Sequence, residues 1–414
     1  MNKYYIALLL FISFTIIYYL GSFSKIPFGD SIGFVLETEK MEFIPSSTTH
    51  THFLFINTLI FLKKIAPDIE SVEIGRFLTI ISASLSLSVL YNIIFKIINN
   101  HFYSIIGTII FGFSFSFWRN TEGLEVYTYN LLFVSLFIWF CIKFLIDGNT
   151  KNLIYSALFL GLGCWVHIQD ILMIPSFLFL VYKSKNLKIK ILSSLVLGTL
   201  FFGLFILAIA NKHPLTSIFS SGTIAQHIEL KSILKNVFVG IGYLIYNFWY
   251  FIIFFIIGLI KIYKYNLNLF IFLSLASLPI FGFAGVFAVS DNYVYFIPFN
   301  FIVTIFIAFG FYSLSLKKYV KTLSYSCILI PLFYLLSFKI AFHTPQGLKL
   351  NETKNYKGGL NYYLLPWMNN NVGILEFTID NRKSPDRMEW MTKAAKELIM
   401  IKSKYQSPEE IRKL

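Results

Sequence analysis

Residues Phe102–Ile146 read FYSIIGTIIFGFSFSFW, RNTEGLE, VYTYNLLFVSLFIWFCIKFLI. Two apolar runs, 102–118 and 126–146, flank a short turn dense in charge. A helix rises about 1.5 Å per residue, so roughly 20 apolar residues cross the hydrocarbon layer of a membrane. Both runs are close to that length, and the turn between them marks a membrane edge. The same alternation recurs outward in both directions. About eleven apolar runs are expected to span, near 4–21, 76–98, 102–118, 126–146, 153–168, 170–183, 190–210, 236–260, 267–289, 294–315 and 322–341. The fifth and sixth are short and close together, as in a hairpin or a partly re-entrant segment. Residues 52–62 make half a span and read as an interfacial or re-entrant helix.

Composition agrees. The chain is 56% hydrophobic and 14% charged, against about a quarter charged in soluble proteins. That excludes an ordinary soluble enzyme, a disordered chain and a disulfide scaffold. Cys141, Cys164 and Cys327 lie inside apolar runs and read as small packed hydrophobes. The expectation is an all-α polytopic membrane protein. Residues 1–341 form its transmembrane domain with a long first outer loop at 22–75, and 342–414 form a polar extracytoplasmic tail. Within that tail Met388, Met391, Ala394, Leu398 and Ile401 recur at helical spacing.

The net charge of +14 calls for no nucleic acid. With the N-terminus inside, the short inner loops hold thirteen cations, among them Lys96, Lys143 and Lys318, and one acid, Asp147. This is the positive-inside pattern. The other twelve acids before residue 342 fall on the outer face. The acids contribute little to orientation, so their one-sidedness points to chemistry there. Few Ala and Gly among many Lys, Ile and Asn suggest a bacterial inner membrane with the active face outward.

Four outer-face clusters carry the candidates. Gly29-Asp30-Ser31 follows the first span; Asp30 reads as a helix cap or as a general base at the bilayer edge. Trp118-Arg119 with Glu122, Glu125 and Tyr127 fills the opening turn. Trp118 and Tyr127 suit the headgroup level on their own account, and a carboxylate such as Glu125 is favoured at a helix N-terminus. His167 stands in the turn Trp165–Asp170 as a phosphate or carboxylate donor, or as a satisfied core histidine. Asp291, before Tyr293 and Tyr295, reads as an N-cap beside interfacial tyrosines. His50 and His52 are spaced like a metal pair, but no further ligands stand at suitable spacing, so no metal or other cofactor is expected. No phosphate loop, paired-glycine fingerprint, CxxC pair or HExxH appears.

These stretches resemble the GT-C superfamily of polytopic glycosyltransferases, which use polyprenyl-phosphate sugars. They resemble most a branch long catalogued as a domain of unknown function, which includes a vertebrate protein O-mannosyltransferase. The resemblance rests on Phe28-Gly29-Asp30-Ser31, on Phe117-Trp118 with Glu125-Val126-Tyr127-Thr128, and on Gly161-Leu162-Gly163 through His167. Gly33 stands where the branch has a second acid, and Ser46–His52 replaces its Pro-rich stretch, with His50 or His52 as a partial substitute.

The resemblance implies a GT-C-like bundle and an inverting transfer of sugar from a polyprenyl phosphate to a protein or glycolipid acceptor. It implies Asp30 as base, Glu125 orienting the acceptor or Arg119, and Arg119 with His167 on the donor phosphate. Trp118 and Tyr127 would stack on the sugar, and Asp291, His50 and His52 would line the substrate site. The competing expectation is a transporter or lipid flippase. Such proteins place charges at the midplane within repeated halves, whereas here the charges lie at helix ends.

Overall fold

The computed structural model describes residues 2–21, 30–46, 52–215, 230–286, 292–354, 359–367, 389–407 and 410. Among these there are helices and turns and no strand. The helices are α1 (Lys3–Tyr19), α2 (Asp30–Lys40), α3 (Phe53–Ile65), α4 (Ser71–Ile98), α5 (His101–Gly112), α6 (Phe115–Thr121), α7 (Val126–Asp147), α8 (Lys151–Val166) and α9 (Ile174–Lys183). They continue as α10 (Leu187–Ala210), α11 (Leu230–Phe248), α12 (Ile252–Tyr265), α13 (Leu267–Val286), α14 (Ile297–Ser313), α15 (Lys318–Tyr325) and α16 (Ile330–Phe342). Three helices of the tail complete the order: α17 (Pro345–Thr353), α18 (Gly359–Leu364) and α19 (Glu389–Lys402).

Among the described residues, seven helical stretches are long and apolar enough to cross a membrane: Ser71–Ile98, Val126–Asp147, Leu187–Ala210, Ile233–Tyr265, Leu267–Val286, Tyr293–Ser313 and Lys318–Phe342. An eighth is the pair α5–α6, bent by 67° at its break. The protein is thus an all-α, multi-pass membrane protein, while a count of eleven spans is not confirmed. The difference lies in the short runs. Lys3–Tyr19 and Lys151–Val166 are apolar but have only 17 and 16 residues, about 25 Å of helix.

Helix α14 sits at the centre: every residue from Ile297 to Phe311 is buried, as expected of a helix apolar all round. It is gripped by α12, α5 and α4. The α12–α14 crossing brings backbones together. A Cβ on Gly258 would stand 1.9 Å from the Phe306 carbonyl oxygen, and one on Gly310 2.1 Å from that of Phe254. Only glycine permits this approach, which replaces the missing hydrophobic drive between helices in lipid with close packing. On the other side α4 packs along α7, α7 along α8, and α8 along α10.

The break between α5 and α6 occurs inside an apolar run, where water cannot satisfy freed backbone groups. Side chains do so instead. The Tyr18 hydroxyl donates to the Gly112 carbonyl at 2.7 Å, and the Tyr334 hydroxyl to the Phe113 carbonyl at 3.1 Å. The Ser116 amide donates to Asn247 Oδ1 at 2.8 Å. With both sides of the break bonded, α6 turns aside and carries Trp118 and Arg119 with it. The end of α7 opposite that turn is held to α4 by a 2.5 Å ion pair between Asp147 and Lys96.

The α12–α14 crossing gives a direct test. Gly258→Ala and Gly310→Ala are each expected to cost about 2–3 kcal/mol by overpacking, seen as a lower melting temperature in detergent. Gly198→Ala, where an added Cβ meets nothing within 4 Å, serves as control. Equal melting of all three would contradict the backbone contact.

Candidate functional site

Helix α2 begins at Asp30, so the carboxylate stands in the first turn, where the helix dipole favours an anion. Asp30 is exposed and lines one end of a groove of about 520 Å³, together with Gly33, Phe34, Glu37, Ile44, Pro45 and Ile56. A Cβ on Gly33 would meet nothing within 4 Å, so the groove is open at that position. The next residue, Ser31, is buried and donates its hydroxyl to Glu125 Oε1 at 2.8 Å. Glu125 occupies the N-cap position of α7 in extended backbone, yet its carboxylate makes no capping bond. It reaches across to α2 instead. One hydrogen bond thereby joins two segments 94 residues apart and sets Asp30 beside the turn that precedes α7.

A second set of contacts lies against Tyr127. His52 and His167 stack with ring centroids 5.0 Å apart. The Tyr127 ring lies 5.8 Å from His167, and Tyr295 packs against both. His52 takes a left-handed backbone, φ 41°, a strained conformation for a side chain without local compensation. Its ring Nδ1 meets the Val166 carbonyl at 3.1 Å, so Nδ1 carries a proton and the start of α3 is pinned to the end of α8. His167 has the opposite tautomer: its Nδ1 accepts the Gln169 amide at 3.2 Å, which puts the proton on Nε2. Burial, and then the nearby His52, push its pKa well below the ordinary value, so His167 is a neutral donor at neutral pH. The turn behind it is locked by Gln169 Nε2 on the Tyr295 carbonyl, 2.8 Å, and by Asn130 Nδ2 on Asp170 Oδ1, 3.0 Å.

Arg119 and Trp118 point to another neighbourhood. Arg119 Nε donates to the Tyr293 hydroxyl at 3.0 Å and Nη1 to the Leu365 carbonyl at 3.2 Å. Its guanidinium lies 4.0 Å over the Tyr362 ring. Trp118 packs on Trp367 at 5.0 Å and donates its indole N–H to Glu122 Oε1 at 2.9 Å. The tail segment 359–367 therefore covers both side chains. Tyr293 and Tyr295 sit on one 3-10 turn, Asn292–Phe296. Side chains two apart there diverge by about 120°, so one meets Arg119 and the other meets Tyr127 and His167.

Of the residues singled out from sequence, Asp30, Glu125, Tyr127, His52 and His167 are thus gathered into adjoining contacts. Trp118 and Arg119 are held beside them by the tail. His50 and Asp291 lie outside the described residues. Ser31, Gln169, Tyr293 and Tyr295 stood in the quoted clusters without a role of this kind, and Tyr362 enters the site unannounced. Ser31 had its place in the motif Phe28–Ser31, and the two turn tyrosines, beside Asp291, read as membrane anchors. Among the described residues, no three His, Cys, Asp or Glu side chains form a metal-binding group.

Residues 13–190 match the family model described as the protein O-mannosyl-transferase TMEM260 N-terminal domain. None of the curated proteins matches the chain. The matched segment contains Asp30, Ser31, His52, Arg119, Glu125, Tyr127 and His167, so the resemblance carried by their motifs holds over this region and supports a glycosyltransferase role. Tyr293, Tyr295 and the tail lie beyond it.

Glu122 offers a test of the site's electrostatics. It is buried, and Gly21 lies so close that a Cβ there would stand 2.1 Å from Glu122 Oε1. Burial pushes its pKa up to about 7, against the opposing pull of the Trp118 indole and Arg76. Between pH 4.5 and 7 the unfolded chain has lost this proton while the folded one keeps it. Stability therefore falls as pH rises through that window and stays lower above it. Glu122→Gln keeps an acceptor for Trp118 and removes the penalty. It is expected to be more stable than wild type at pH 8, by roughly 3 kcal/mol, and to match it near pH 4.5. An equal difference at both pH values would contradict a buried, proton-holding Glu122.

Proposed function

We propose that this protein is a membrane glycosyltransferase that moves a sugar from a polyprenyl phosphate to a hydroxyl of a protein or glycolipid acceptor at the outer face. The reading is supported most by one observation. Within the segment that matches the O-mannosyl-transferase domain, the Ser31–Glu125 bond holds the Asp30 helix against the turn bearing Glu125 and Tyr127. Asp30, next to Ser31 in the chain, is thereby held close to the turn that begins α7, where a single base is needed.

In the proposed reaction Asp30 takes the proton of the acceptor hydroxyl. The acceptor oxygen bonds to the anomeric carbon as the bond from that carbon to the phosphate oxygen breaks. The electron pair leaves with the polyprenyl phosphate, and the centre inverts. One base suffices, in contrast with the paired carboxylates of glycoside hydrolysis. Glu125 acts through Ser31 to orient α2. His167 offers its Nε2–H to the leaving phosphate, and Tyr127 and Tyr295 form a wall on which a sugar can stack. Arg119 supplies positive charge nearby, since its fork suits phosphate oxygens, with segment 359–367 lying over it. No metal ion takes part in this scheme. The family's description as an O-mannosyl-transferase domain makes mannose the first sugar to test. The concentration of lysines in the short inner loops supports the outward orientation, in a bacterial inner membrane. Residues 1–341 serve as the GT-C-like transferase body and 342–414 as its outer tail.

The test is transfer of radiolabelled sugar from polyprenyl-phosphate mannose, and then from other polyprenyl-phosphate sugars, to membrane acceptors by purified protein. Asp30→Asn is expected to lower kcat by at least about a hundredfold, the lower range for loss of a general base. His167→Gln should lower it by less. Full activity in Asp30→Asn would reject Asp30 as the base. No transfer from any donor, together with solute uptake in vesicles, would favour a transporter.

A further inference from the structure

The Asp30 helix is short. Eleven residues are too few for a helix to persist in water by itself, so α2 depends on what surrounds it. One face, with Ile32, Phe34, Val35 and Thr38, is buried. Its apolar residues pack with Phe55, Ile56 and Leu59 of α3, and Ala395 and Leu398 of α19 join the same cluster. Its first turn is tied to α7 by Ser31. Its last turn is tied to the far end of the chain. Glu39 accepts the hydroxyl and amide of Ser71 at 2.6 and 3.2 Å, stands 3.3 Å from Lys63 Nζ, and accepts the Tyr405 hydroxyl at 3.0 Å.

Lys63 is fully buried. Its ammonium is satisfied by the carbonyls of Pro67 and Ile69, at 2.9 and 2.7 Å, and by Tyr405 Oη at 2.7 Å. Beside this group Lys402, at the end of α19, pairs with Glu70, and Gln406 Nε2 reaches the other Glu70 oxygen at 3.4 Å. Burial alone would push the Glu39 carboxyl up, yet Ser71, Lys63 and Tyr405 hold it below its ordinary value. A buried ion pair is strongly disrupted when one partner is removed. The contacts made by Lys402, Tyr405 and Gln406 span more than 300 positions and tie residues beyond the segment that matches the family domain to residues within it.

We propose that Tyr405 and Lys402 are positioning residues for the transfer reaction: they clamp α19 onto α2, α3 and α4 and so hold the Asp30 helix in its working orientation. This rests on the reading of Asp30 as the base. The C-terminal segment is then an arm of the active site and not a detached appendage. Asp30 is fixed from two directions, by Glu125 at the near end of α2 and by the clamp at the far end.

The test uses the full chain in detergent or nanodiscs, with Tyr405→Phe, Lys402→Met and the conservative Lys402→Arg. Tyr405→Phe removes one hydroxyl and preserves the ring, so it probes the clamp even where Lys402→Met fails to fold. Hydrogen exchange is measured on α2 and, as internal reference, on α7. Exchange in α2 is expected to rise about tenfold in Tyr405→Phe and Lys402→Met while α7 stays unchanged. On monodisperse protein kcat should fall about tenfold with the donor KM within about twofold, and Lys402→Arg should restore both exchange and rate. Unchanged α2 exchange in the two disruptive variants would overturn the clamp. A loosened α2 with wild-type kcat, or a rise in KM alone, would overturn positioning. A wild-type protein that transfers no sugar while the variants loosen α2 would defeat the transferase reading and uphold the clamp.

Discussion

The structure turns on a break in a helix where lipid forbids one. Between α5 and α6 the carbonyls of Gly112 and Phe113 and the amide of Ser116 lose their helical partners, and Tyr18, Tyr334 and Asn247 take their place. Those three side chains come from α1, α16 and α11, so a local defect is secured by three distant elements. A freed peptide group in hydrocarbon is costly unless bonded, which makes the break and its partners one unit. The consequence is a short helix lying across the bundle edge. It aims Trp118 at Glu122 and Arg119 at Tyr293 and hands the chain to α7 at Glu125.

From there the site is assembled by reach and not by sequence proximity. Glu125 bonds Ser31, His52 stacks on His167, and Tyr295 closes against Tyr127. Each contact crosses between elements far apart in the chain, and each is near the same end of α7. The opposite end, about 33 Å away along a 22-residue helix, carries the Lys96–Asp147 pair. A carboxylate beside an open groove, a neutral imidazole with its proton on Nε2 and a wall of tyrosines are the groups on which the proposed transfer rests.

Much of this was legible in the chain. Uniform runs such as 190–210 and 267–289 declare themselves because lipid demands apolar length, and Leu187–Ala210 and Leu267–Val286 follow them closely. The α5–α6 break was hidden because 102–118 is apolar throughout, and nothing in it announces that Tyr18, Tyr334 and Asn247 will supply the missing bonds. Helix α2 is announced only by Asp30 as a possible cap within the long outer loop, because its apolar residues are few and flanked by acids; α3 and α19 pack against it. The partners of Arg119 stand 174 and 246 residues away, beyond any local pattern. Motif spacing singled out Asp30, Glu125, Tyr127 and His167, which stand at or next to helix ends. The bond through Ser31 that relates the first two is visible only in three dimensions.

The most direct measurement of the central claim is where the donor binds. A polyprenyl-phosphate sugar carrying a photoreactive group near its phosphate, crosslinked to the protein and mapped by mass spectrometry, should label peptides containing residues 30–46, 115–130 and 165–170. Labelling confined to the buried midplane stretches of α13 and α14, with none at these three segments, would contradict a transferase site at Asp30.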